Sequence, residues 1–492
     1  MKYVSTRGTK EYTASEAILQ GLCEDGGLFM PEYIPQLSVP LSKLPDLSYQ
    51  DLAYLVMKDY LSDFTEAELR ECIEKAYDEK FDDPRIAVLK QADDHAFLEL
   101  FHGATIAFKD MALSLLPHLL TTAKRKQGVK EEIVILTATS GDTGKAALEG
   151  FRDVEGTRII VFYPHGGVSA IQELQMVTTG GKNTKVISVR GNFDDCQTGV
   201  KQIFSDAAFG RRMEEKGFRF SSANSINIGR LIPQVAYYVY AYAGMMKCGA
   251  IKEGEPLNFT VPTGNFGNIL AAYFAKQMGL PVGKLICASN DNKVLFDFFT
   301  TGIYDRNRPF ILTSSPSMDI LISSNLERLI YLMCDRDPEK NRALMEQLKT
   351  TGRYEVSEAM REKTGDFYGG FASSDKVTET IRALFEKTGY VIDPHTAVAF
   401  SVACDYEQKE KPGNKNVIVS TASPYKFGQS VLKAIDPSFT ETDPFAMADR
   451  LHERSGVLIP PAIESIRNAD IRHRDVCDVS SMEDLVAAYL NI

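Results

Sequence analysis

From Ala96 onward the chain alternates short apolar or β-branched blocks with longer stretches in which apolar residues recur at helical spacing. The blocks 96–101, 133–139, 158–163, 185–189, 218–222, 257–261, 285–288, 389–392 and 417–420 read as strands. The stretches 111–124, 145–151, 169–177, 194–209, 232–246 and 269–278 read as helices. Strands alternating with helices predict an α/β fold with largely parallel sheets, covered by helices on both faces. In such sheets a ligand lies beyond the carboxyl ends of the strands.

The pattern differs at both ends and in one interior stretch. Residues 1–95 predict an α-rich N-terminal region: a helix over 15–22 with Ser15 as its cap and Gly21 as its stop, a second over 49–61, and a third over 65–76. The third opens with Thr65 and Glu68 at capping-box spacing. Pro31, Pro35, Pro40 and Pro45 mark an irregular path between them. A core is expected over 96–435, with a smaller subdomain at about 130–210. It carries a charged, helical insertion at about 326–385, with a turn at 349–352. Residues 436–492 are expected to wrap around the core and to end in a helix over 482–490.

Composition narrows the class. A net charge of −11 and a sequence pI near 5.3 argue against nucleic-acid binding, which needs basic patches. The eight cysteines are scattered without a CxxC pair or zinc-finger spacing, so no metal site and a reducing cytoplasm are expected. The first twenty residues lack the apolar core of a signal peptide. No apolar run approaches the roughly 20 residues that span a bilayer, so no membrane partner is expected.

Two stretches carry chemistry. His102-Gly103-Ala104-Thr105-Ile106-Ala107-Phe108-Lys109-Asp110 joins a strand to a helix, and Ile106 and Phe108 shield its lysine. A shielded, unprotonated amine suits a Schiff base with an aldehyde cofactor. Farther on, the strand 257–262 leads into Thr263-Gly264-Asn265-Phe266-Gly267-Asn268 and then a helix. A glycine turn opening a helix directs backbone N–H groups at a phosphate. An amine for an aldehyde and a cup for a phosphate describe pyridoxal 5'-phosphate (PLP).

With these stretches, Ala138 to Gly144 (ATSGDTG) and Ser222 to Gln234 (SANSINIGRLIPQ), the chain resembles the threonine synthases, PLP enzymes of fold type II, the tryptophan synthase β-like fold. The opening residues Tyr3 to Gly8 and Asp25 to Phe29 are similar as well. The resemblance implies two parallel-rich sheets and Lys109 as the residue that binds PLP and moves protons. It implies a phosphate cup of Gly264, Asn265, Phe266, Gly267 and Asn268, and Thr421 at the pyridine nitrogen. By the same resemblance Ser140, Gly141, Asp142 and Thr143 would form the loop for the substrate α-carboxylate, with Asp142 orienting it. Arg230, Asn224 and Asn227 would hold the substrate phosphate; Lys145 and His165 are weaker options. The sequence departs from the family pattern at Ala104, where proline is common, and at Asn268, where Asp is frequent. The implied reaction is O-phospho-L-homoserine and water to L-threonine and phosphate, by a monomer or homodimer. A serine or threonine dehydratase, a phospho-amino-acid lyase and a non-catalytic PLP-binding protein are the alternatives.

Overall fold

The computed structural model describes residues 1–492. Its larger sheet has six strands in the order Phe367–Phe371, Val282–Ser289, Leu257–Pro262, Asn416–Ser420, His95–Glu99 and Val88–Ala92. All neighbours run parallel except the last pair. Leu257–Pro262 and Asn416–Ser420 are buried along their whole length, which explains their unbroken rather than alternating patterns. The smaller sheet has five parallel strands: Asp475–Asp478, Thr184–Arg190, Thr157–Pro164, Glu132–Ala138 and Phe218–Ser221. The helix Ile228–Lys247 is apolar nearly all round and packs against Tyr49–Met57 and Gly267–Gln277. Near the N-terminus, Tyr3–Ser5 pairs antiparallel with Glu11–Tyr12 and with Phe29–Pro31.

Several elements differ from the sequence reading. The first helix is Ala14–Gln20, capped by Thr13 in a capping box with Glu16 rather than by Ser15. The stretch 111–124 is two helices, Asp110–Leu113 and Leu116–Lys126, and Pro117 fits the second one's first turn because it has no N–H to lose. The stretch 194–209 breaks at Asp206, whose carboxylate accepts from the Ala208 and Phe209 amides at 2.7 and 2.9 Å and starts a new helix.

No strand forms at 389–392. Gly389, at φ 75°, ends the helix Ser374–Thr388, and Asp393 caps the next, Pro394–Glu410. The stretch 326–385 is not purely helical. It contains the edge strand Phe367–Phe371, obscured in the sequence by Gly369 and Gly370. Those glycines admit close packing: a Cβ on Gly370 would stand 2.3 Å from Val402 Cγ1. The tail also does more than wrap, since Asp475–Asp478 is a strand of the smaller sheet.

Candidate active site

The loop after His95–Glu99 is pinned to the loop after Asn416–Ser420. The Phe108 amide donates to the Thr421 carbonyl at 2.8 Å, and the Ser423 amide to the Ile106 carbonyl at 3.0 Å. Inside the loop, buried Asp110 accepts from the Thr105 amide at 2.8 Å and its hydroxyl at 2.6 Å. Burial pushes the Asp110 carboxyl up to about 6 against those bonds. A Cβ on Gly103 would stand 2.6 Å from Asp110 Cβ, so this turn needs glycine.

Lys109 emerges at the start of Asp110–Leu113 with its side chain only 11% exposed. Its Nζ donates to Ser317 Oγ at 3.0 Å, stands 3.6 Å from Asp142 Oδ2 and lies 5.3 Å from the Phe108 ring centroid. Burial lowers the amine's pKa; Asp142 opposes that shift, while Arg230 and Lys426 add to it.

The glycine cup forms where Leu257–Pro262 gives way to Gly267–Gln277. Phe266, at φ 63°, opens that helix without any side-chain cap, so its first N–H groups are free for an anion. Gly264 lies against the Ser317 carbonyl, which a Cβ would approach to 2.5 Å. Asn268 Oδ1 accepts from the Tyr237 and Tyr238 hydroxyls at 2.6 and 2.5 Å, while its buried Nδ2 has no partner. A buried amide donor left unsatisfied costs about 1–3 kcal/mol, and a phosphate oxygen would satisfy it. Asn265 is exposed; its carbonyl accepts from the Asn325 amide and side chain, both at 3.0 Å. Thr421 is buried beside the lysine loop. A low-pKa amine, an uncapped helix start and an orphaned amide donor together fit PLP.

The loop 140–144 opens the helix Asp142–Phe151, again without a side-chain cap. Gly141 takes φ 130°, and Thr139 Oγ1 accepts from the Gly141 and Gly144 amides at 3.0 and 2.9 Å. Ser140 is exposed and Thr143 half-buried. Asp142 is enclosed: Gln172 donates to Oδ1 at 2.8 Å, Lys426 Nζ lies 3.3 Å from the same oxygen, and Ser317 donates to Oδ2 at 3.3 Å. Burial alone would raise its pKa, but Lys426, Lys109 and Gln172 hold it well below the usual carboxylate range.

Arg230, in the first turn of Ile228–Lys247, is buried without a carboxylate partner. Its Nη1 donates to the Ala223 carbonyl at 3.0 Å, its Nε has no partner, and burial lowers its pKa to about 10. Asn224 is exposed on the loop before it. Asn227 departs from the substrate-binding expectation. Its Oδ1 caps the helix through the Gly229 amide at 2.9 Å, and its Nδ2 donates to the Ile18 and Ser222 carbonyls at 3.0 Å. Its hydrogen-bonding groups therefore brace the fold. Lys145 is likewise committed, to Glu149 at 2.5 Å and Thr179 at 2.9 Å. His165 is exposed and bonds Ser188 Oγ at 3.0 Å.

Three residues of this site carry no signal in the strand and helix pattern. Lys426 is fully buried and donates to the Thr105 carbonyl at 3.0 Å and Gln175 Oε1 at 2.8 Å. Ser317 comes from a hydroxyl-rich turn, and His395 from the capped helix start Asp393-Pro394-His395-Thr396. The nearest sequence clue to Lys426 is its position five residues after Thr421.

The fold and this lysine-centred site are those of a PLP-dependent enzyme of fold type II. The family profile described as Pyridoxal-phosphate dependent enzyme matches residues 95–423. Those described as Threonine synthase N terminus and Threonine synthase, C-terminal match residues 2–77 and 396–469. The chain belongs to the threonine synthase family. It is 38% identical over 468 residues to the threonine synthase of Saccharomyces cerevisiae, covering 88% of this chain and 89% of that one. It is 41% identical over 435 residues to threonine synthase-like 1 of Homo sapiens, covering 86% of this chain but 58% of that longer protein. Among solved structures, yeast threonine synthase superposes with a TM-score of 0.89 at 34% identity, covering 100% of this chain and 99% of that one. The PLP-bound threonine synthase from Brucella melitensis gives 0.88 at 35% identity, with 100% of both chains covered. No helix is long and apolar enough to cross a membrane.

Proposed function

We propose that the protein converts O-phospho-L-homoserine and water to L-threonine and phosphate, the last step of threonine biosynthesis. One observation carries this reading: Arg230 is a buried guanidinium with no carboxylate partner, and its charge depresses the Lys109 amine. It belongs to a different element from the glycine cup, so it offers a second anion subsite. A planar fork of donors suits a phosphate ester. The related threonine synthases support the same substrate class.

PLP, when bound, supplies an electron sink for the charge that develops as substrate protons leave. The chain's own residues provide the rest. Gly264, Asn265, Phe266, Gly267 and Asn268 would hold the cofactor phosphate, and the Thr421 hydroxyl would meet the pyridine nitrogen. Lys109 takes the substrate α-proton at Nζ, a β-proton follows as the phosphate departs, and protons are later returned at Cγ and Cα. The loop Ser140 to Thr143 receives the α-carboxylate through the Ser140 and Thr143 hydroxyls and the Asp142 and Thr143 N–H groups, while Thr139 holds the Gly141 amide. Asp142 itself keeps that loop tied to Gln172 and Lys426. Arg230 and Asn224 hold the phosphate that leaves from Cγ. Water then adds at Cβ, and the enclosure of Lys109 guards against early hydrolysis to a 2-oxo acid.

The same reading includes a cytoplasmic enzyme working as a monomer or homodimer on a small molecule, without nucleic acid. The acidic balance and the eight unpaired cysteines support it. Turnover in ¹⁸O-labelled water tests the chemistry. Cleavage at Cγ–O predicts label in the threonine hydroxyl and none in phosphate. Label in phosphate would mean simple phosphate-ester hydrolysis and would overturn the reading.

A further inference from the structure

Ser317 is held from three directions in the short turn Pro316–Met318. Its amide donates to His395 Nε2 at 3.2 Å. Its carbonyl lies against Gly264, where a Cβ would approach to 2.5 Å. Its hydroxyl accepts from Lys109 Nζ at 3.0 Å and donates to Asp142 Oδ2 at 3.3 Å. Because His395 Nε2 accepts a hydrogen bond, the ring hydrogen resides on Nδ1, where Asp393 Oδ2 accepts it at 2.7 Å. Asp393 is buried and is fixed in turn by the His395 and Thr396 amides at 2.9 and 3.1 Å. The His395 ring also lies 4.8 Å from that of Phe427.

We propose that Ser317 is a catalytic residue whose hydroxyl holds the Lys109 amine during proton transfer, with His395 and Asp393 as positioning residues that hold Ser317. The proposal rests on the reading of Lys109 as the working amine. The separation between Lys109 and Asp142, 3.6 Å, exceeds a good hydrogen bond, and the Ser317 hydroxyl bridges it. One proton moves from the substrate α-carbon to Nζ, and Ser317 keeps its own. The ammonium so formed stands in an enclosed space, where the Ser317 oxygen accepts one of its hydrogens. The Ser317 hydrogen is already given to Asp142. Two further cations, Arg230 and Lys426, act on Lys109 and oppose its protonation, which makes the Ser317 oxygen and the Asp142 carboxylate the groups that favour it.

The test uses the full-length, PLP-loaded protein and its Ser317→Ala, Ser317→Thr and His395→Asn variants. Losing one hydrogen bond to a charged group corresponds to a fall in kcat of about tenfold to hundredfold in Ser317→Ala. KM should stay within about threefold, because the hydroxyl acts on proton transfer rather than on substrate binding. The acidic limb of the kcat–pH profile should move to lower pH, because protonated Lys109 has lost an acceptor. Ser317→Thr, which keeps the hydroxyl, should recover most of the rate. His395→Asn should lower kcat with the hydroxyl still present, and it carries the test if Ser317→Ala does not fold.

A second readout needs no turnover: the pH midpoint for capture of PLP by the PLP-free chain, followed by the absorbance of lysine-bound cofactor. It should fall in Ser317→Ala and not in Ser317→Thr. An unshifted midpoint with wild-type kcat, or Ser317→Thr no better than Ser317→Ala, would overturn the proposal. A wild-type absorbance band in Lys109→Ala would instead overturn the underlying reading of Lys109, a separate result.

Discussion

The Phe108 amide and the Thr421 carbonyl, 313 residues apart in sequence, are joined by a 2.8 Å hydrogen bond. With the Ser423–Ile106 bond beside it, this fixes the lysine loop to the end of a fully buried strand. The amine that would hold PLP and the hydroxyl that would meet its ring nitrogen are thus registered by backbone, which side-chain substitution leaves in place.

That registry separates binding from chemistry at Thr421. Thr421→Val keeps the backbone bond and nearly the side-chain volume but loses the hydroxyl. PLP binding should survive, while kcat falls about tenfold, the usual scale for one lost hydrogen bond. Thr421→Ser should restore it. Absorbance of bound cofactor and steady-state kinetics check both.

Arg230→Gln should weaken use of the phosphorylated substrate and spare the fold. Loss of a charge-assisted contact to phosphate predicts a fall in kcat/KM of about tenfold to hundredfold, with the cofactor spectrum unchanged. A buried charge without a counter-ion is unfavourable in the substrate-free protein, so its melting temperature should not drop. Thermal unfolding of the PLP-loaded variant is the check.

Asn268 has an acceptor in use and a donor without a partner, and one substitution removes both. Asn268→Ala removes the acceptor shared by the Tyr237 and Tyr238 hydroxyls and the unpartnered Nδ2 donor that would meet the cofactor phosphate. The apo-protein should lose about 1–3 kcal/mol and PLP affinity about tenfold. Denaturant unfolding and cofactor titration measure the two separately.

His102 makes stability depend on alkaline pH. Burial would lower its pKa, but bonds to Asp82 at 2.6 Å and Glu99 at 3.0 Å outweigh this and raise it to about 9. A histidine raised above its unfolded value stabilises fully below about pH 6.5, and the gain is lost as pH rises through 9. Allowing for its partial exposure, the contribution is about 2 kcal/mol. Melting temperature should therefore fall between neutral pH and pH about 10, and fall less in His102→Gln.

Local chemistry explains what was legible in the sequence. Lys109, the Gly264–Asn268 turn and Thr421 stand at strand-to-helix junctions, where turn residues and apolar blocks announce themselves. Ser317, Lys426 and His395 act across 78 to 321 residues of chain, and no periodicity encodes such partners. The edge strand Phe367–Phe371 lies in a stretch whose sequence reads as helical, and its central glycines, Gly369 packed on Phe296 and Phe299 and Gly370 on Val402, give no β-branched signal. Asn227 shows how a side chain can be committed to the fold. Its neighbours Asn224 and Arg230 suggest a ligand, whereas its own amide is needed to cap a helix and bind the Ile18 carbonyl.

The most direct test of the account is to incubate the PLP-loaded protein with O-phospho-L-homoserine and measure phosphate, L-threonine and 2-oxobutyrate together. The account predicts phosphate and L-threonine in equal amounts. Phosphate accompanied by 2-oxobutyrate, with no threonine, would contradict it and make the protein a phospho-amino-acid lyase.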